Sequence, residues 1–71
     1  MYLVLNGQSR EFPQLAPGAR LQDLVADLGL KGDRLAIELN GNIVPRAEWT
    51  GTGLAEGDRL EIVHFVGGGH A

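Results

Sequence analysis

Three glycines, Gly67-Gly68-Gly69, follow directly on the apolar run Leu60-Glu61-Ile62-Val63-His64-Phe65-Val66 and precede His70-Ala71. Glycine has no Cβ, so such a segment threads a narrow channel in extended or left-handed conformations closed to other residues. Three residues reach about 10 Å beyond their anchor, enough to carry a backbone carboxylate into another protein's active site. By composition alone the triplet reads equally as a frayed end or a linker. The abrupt change from an apolar strand to glycine favours the reaching arm.

Other chemistry-bearing residues offer less. His64 and His70 stand one on a strand and one in the tail, without a carboxylate cluster, and do not preorganise a metal site. Asp23, Asp27 and Asp33 are too loosely spaced for a calcium loop and read as a solvated face. No helix pattern follows the glycines, so they are not a phosphate-cradling loop. No nucleophile is paired with a base, and a chain of 71 residues has little room for a deep pocket. An independent enzyme is therefore the least supported class.

Composition narrows the setting. The chain is 44% hydrophobic and 21% charged, the balance of one small globular domain. Cysteine is absent, which excludes disulfides and thiolate chemistry and fits a reducing compartment. No apolar run approaches the roughly 20 residues of a membrane helix, and Met1-Tyr2-Leu3-Val4 lacks a basic leader; a cytoplasmic protein away from membranes is expected. The net charge is −3 with Lys and Arg scattered, which argues against nucleic acid and for a protein partner with a basic face.

The elements that must position the tail are legible in outline. Tyr2–Leu5 is a short apolar strand, and Asn6-Gly7 supplies the two positive-φ positions of a type I′ turn, so a return strand is predicted at 9–12. Leu21, Leu24, Val25 and Leu28 fall at i, i+3, i+4 and i+7, one apolar stripe of a short helix, with Gly29 placed to end it. Leu35, Ile37 and Leu39 alternate with Ala36 and Glu38, giving a strand that turns at Asn40-Gly41-Asn42. A two-residue strand at 43–44 stops at Pro45, one helical turn follows, and Trp49 is expected to cover the open end of the core. Glu56-Gly57-Asp58 turns the chain into a last strand at 59–66.

This order predicts an α+β domain: a mixed sheet of four to five strands with one main helix on one face. The last strand lies at its centre, parallel to the first. That is the β-grasp arrangement, over residues 1–66, with residues 67–71 as a glycine tail bearing a His-Ala extension. Along the last strand Leu60, Ile62, His64 and Val66 share one face, and Arg59, Glu61, Val63 and Phe65 the other. The outer face of a one-sided sheet should be polar, and Val63 and Phe65 break that rule. Either Phe65 folds back as a lid on the core, or Val63, Phe65 and Ala36 form an exposed patch on which a partner docks.

The stretches RLEIVHFVGGG, AIELNGNIVPRAEW and LAEGD resemble the ThiS family of sulfur carriers in thiamine thiazole biosynthesis, over nearly the whole chain. The resemblance implies that a ThiF-type adenylyltransferase uses MgATP to convert the carboxylate of Gly69 to an acyl-adenylate. Sulfur from a cysteine persulfide donor then displaces AMP, and the thiocarboxylate is delivered to a ThiG-type thiazole synthase. Gly68 and Gly69 carry the chemistry by motif match, with Gly69 the acceptor. Val63, Phe65 and Gly67 are the candidates for the docking root. No cofactor or metal is bound by the chain itself. The family's chains end on the second glycine, whereas His70-Ala71 follow here. Either a peptidase removes the pair, or the chain as written is inactive, or the pair is an artificial remnant. Two rival readings stay open: another β-grasp carrier or modifier, such as a MoaD-like one, and a plain interaction module.

Overall fold

A computed structural model describes residues 1–65. Within them β1 (Tyr2–Leu5) pairs antiparallel with β2 (Gln8–Glu11) through Asn6 and Gly7, whose φ angles of 49° and 82° give the type I′ turn. Helix α1 (Leu21–Asp27) crosses to β3 (Leu35–Leu39), which turns through Asn40 and Gly41 into β4 (Asn42–Ile43). After a 3₁₀ turn at Arg46–Glu48 the chain returns as β5 (Arg59–His64). The sheet order is β2-β1-β5-β3-β4, with β5 parallel to β1 and antiparallel to β3. The central, parallel placement of the last strand is thus as the sequence predicts.

The helix is short because its signals are local. Its first turn is held by the Arg20 N–H, which donates to Asp23 Oδ2 at 2.8 Å. It ends in a Schellman motif: Gly29, at φ 70°, donates to the Ala26 carbonyl and Leu30 to that of Val25. Seven residues do not make a stable helix in water. Packing supplies what propensity lacks, since Leu21, Leu24 and Val25 are buried against Leu3, Leu5, Ile37 and Leu60 of the sheet. Burying each such side chain stabilises the fold by about 1.5–3 kcal/mol.

Trp49 closes the end of this core. It is 1% exposed, and its indole N–H donates to the Val44 carbonyl at 2.9 Å, satisfying the one polar group it brings inside. The strand bounds differ from the sequence reading by one or two residues. Strand β2 starts and stops one residue earlier than predicted because Phe12 leaves the ladder to bury its ring, at a point where its N–H donates to the Met1 carbonyl. Strand β4 lies at Asn42–Ile43, one residue early, although the Val44 N–H still donates to Ile37. A 3₁₀ turn at Gly32–Arg34, not anticipated from the pattern, leads into β3. Strand β5 spans Arg59–His64, with Phe65 just beyond it, and Val66, the predicted last residue, lies outside the described residues.

Candidate functional site

The candidate site is built on β5 and faces away from α1. Register fixes the faces: Leu60 lies beside buried Leu5, and Ile62 opposite buried Ile37, so Arg59, Glu61 and Val63 project to the open side. Opposite them on β3 are Glu38 and Ala36, and Ile43 of β4 stands opposite Glu38. Val63 is 53% exposed and Phe65 54% exposed. Phe65 therefore does not fold back as a lid; the two form an exposed apolar patch, with Ala36 directly opposite Val63.

The strand beneath this patch is held from both sides. Five residue pairs join β5 to β3, from Leu35 opposite His64 to Leu39 opposite Leu60. The ladder runs one residue past the strand end, where the Phe65 N–H donates to the Arg34 carbonyl at 2.9 Å. On the other side β1 stops at Leu5, two residues before Ile62 would need a partner. Asn6 takes over: its Oδ1 accepts from the Ile62 N–H at 2.8 Å and its Nδ2 donates to the Ile62 carbonyl at 3.3 Å. At the start of β5 Asn40 does similar work, accepting from the Arg59 N–H at 3.0 Å through Oδ1 while its own N–H donates to the Arg59 carbonyl at 2.7 Å. Sequence reasoning took both asparagines only as turn formers. Their left-handed φ angles were readable, but the strand they serve was not.

Beside the strand end, an open groove of about 450 Å³ is lined by Leu30, Lys31, Arg34, His64 and Phe65. Asp23, Asp27 and Asp33 do not converge, and among the described residues no group of three His, Cys, Asp or Glu side chains could hold a metal ion. Among the same residues, no helix is long and apolar enough to cross a membrane. The predicted site residues Gly67, Gly68 and Gly69 lie outside the described residues, as do Val66, His70 and Ala71.

A central strand flanked in parallel by the first strand, over one helix, defines the β-grasp class. Residues 3–69 match the model of the ThiS family. The chain is 34% identical over 67 residues to the sulfur carrier protein ThiS of Bacillus subtilis, covering 94% of this chain and 98% of that one. It is 38% identical over 69 residues to a thiazole synthase of Paramagnetospirillum magneticum, covering 97% of this chain but only 20% of the synthase. The chain thus spans a fifth of the length of that relative. Among solved structures it superposes on the thiamine biosynthesis protein ThiS of Geobacter metallireducens with a TM-score of 0.82 and 28% identity, over 97% of this chain and all of the other. The chain belongs to the ThiS family.

Proposed function

We propose that this chain carries sulfur for thiazole formation on the carboxylate of Gly69, docking on its enzymes through Val63, Phe65 and Gly67. The observation that supports the reading most is the exposed Val63–Phe65 patch at the end of a strand clamped at both ends, with the glycines beginning two residues beyond Phe65 in sequence. A rigid root fixes where the arm starts, and a side-chain-free arm fits a narrow entry.

The chemistry needs an activating partner, because a carboxylate is a poor electrophile. A carboxylate oxygen of Gly69 attacks the α-phosphorus of MgATP and releases pyrophosphate, forming the acyl-adenylate. The terminal sulfur of a cysteine persulfide attacks the acyl carbon and AMP leaves. A second thiol then cleaves the S–S bond, itself being oxidised to a disulfide, and a thiocarboxylate remains on Gly69. The oxyanion and phosphate are stabilised by the ThiF-type adenylyltransferase, which holds the MgATP. This chain contributes the acyl terminus and its placement.

Thiazole synthase is the acceptor in this reading, supported by the similarity to the synthase of Paramagnetospirillum magneticum. That same likeness favours a ThiG-type acceptor over a molybdopterin one. The absence of cysteine suits a carrier whose sulfur rides on the backbone, working in the reducing cytoplasm. Gly68 keeps the arm thin next to the reacting carbon. His70-Ala71 follow Gly69, so the Gly69–His70 peptide bond must be cut by a peptidase before adenylation.

The test is incubation of a form ending at Gly69 with a ThiF-type enzyme and MgATP. Pyrophosphate release and an AMP adduct on this form, with neither on the chain that keeps His70-Ala71, are expected. No adduct on the trimmed form, with an enzyme shown to adenylate its own carrier, would contradict the reading.

A further inference from the structure

The open face of the sheet sets two carboxylates side by side in a groove that Arg59 also lines. Glu38 and Glu61 stand directly opposite each other in the antiparallel β3–β5 register. Such pairs have Cβ atoms about 5 Å apart on one face, and like charges there reduce stability. Among the described residues the one salt bridge joins the Met1 amino group to Glu11, so Arg59, on the same face, is paired with neither glutamate. Apolar groups border the pair. Ile43, 64% exposed, stands opposite Glu38, and Val63 and Phe65 continue the same face toward the tail.

We propose that Glu38 and Glu61 together receive one arginine or lysine side chain of the adenylating partner, set in an apolar surface that covers Ile43, Val63 and Phe65. The inference rests on the carrier reading above, because that partner must hold the domain while the arm reaches its active site. Charge complementarity chooses the occupant. A surface that covered this face without a cation would desolvate two adjacent carboxylates, which is strongly unfavourable, whereas a guanidinium can bond to both. A second copy is disfavoured for the same reason: a two-fold contact through this face brings four glutamates together in a chain already at −3. The repulsion is thus kept in the free domain and relieved on docking.

The test compares the form ending at Gly69 with its Glu38→Gln, Glu61→Gln, doubly substituted and Val63→Ser variants, against the ThiF-type adenylyltransferase of the same host. The double Gln variant is expected to melt a few degrees higher than the parent. It is also expected to bind about tenfold more weakly, with a flatter dependence of the association rate on salt. Opposite signs on stability and binding separate recognition from loss of fold. A parent that is adenylated, with a double variant binding within about twofold of it, overturns this inference and leaves the carrier reading standing. A parent that the enzyme neither binds nor adenylates overturns both. Self-association of the parent that Val63→Ser abolishes assigns the face to a second copy and overturns the inference.

Discussion

The carboxamide of Asn6 bonds both backbone polar groups of Ile62, accepting from its N–H at 2.8 Å and donating to its carbonyl at 3.3 Å. A turn residue thereby stands in for a strand. Strand β1 is too short to accompany β5 to its end, and the Asn6 side chain, which has one donor and one acceptor group like a peptide unit, extends the parallel ladder to Ile62. Three residues further on is Phe65, the last described residue before the glycines. The end of the strand that presents the tail is thus fixed by a residue 56 positions away.

Replacing Asn6 by glycine keeps the left-handed turn, since φ is 49° there, but removes both side-chain bonds. The expected loss is about 1 kcal/mol in urea unfolding, with faster hydrogen exchange at the Ile62 amide than at Ile37. Unchanged protection at Ile62 would show that water replaces the carboxamide without consequence.

Trp49→Phe removes the indole donor to Val44 and part of the volume that closes the core. Unfolding free energy is expected to fall by about 1–3 kcal/mol, read from the shift in denaturant midpoint at constant slope.

Gly29→Ala tests the helix stop. Nothing lies within 4 Å of the position a Cβ would occupy, so the cost is that of the backbone at φ 70° alone. A loss of about 1 kcal/mol is expected. A neutral result would mean that the Schellman bonds of Gly29 and Leu30 tolerate a side chain.

Gly68→Leu separates the arm from the fold. On the proposed function it leaves the melting temperature unchanged and lowers adenylation of the form ending at Gly69 by about a hundredfold, because the branched side chain displaces the acyl carbon in the partner's channel. Equal rates for the two forms would remove the need for a thin arm.

What could be read from the sequence follows the range of the interactions concerned. The Asn-Gly turns, the Gly29 stop and the apolar stripe of α1 are decided within a few residues, and each stands where the pattern puts it. Val63 and Phe65 were visible because they break an alternation within one strand. Glu38 beside Glu61 was not, since each alone is an ordinary outward charge and only the register of β3 on β5 makes them neighbours. The Asn6 and Asn40 clamps were hidden for the same reason. Phe12 was misplaced by one residue because a ring that leaves a ladder for the core looks, in sequence, like the ladder's last member.

Gly69 is the proposed acyl terminus that receives sulfur. Intact-mass spectrometry of the chain isolated from its own host, during growth without thiamine, tests it most directly. A population ending at Gly69, part of it heavier by the exchange of one oxygen for sulfur and reverting on hydrolysis, is expected. Residues His70 and Ala71 still attached to Gly69 in every molecule, with no thiocarboxylate, would contradict it.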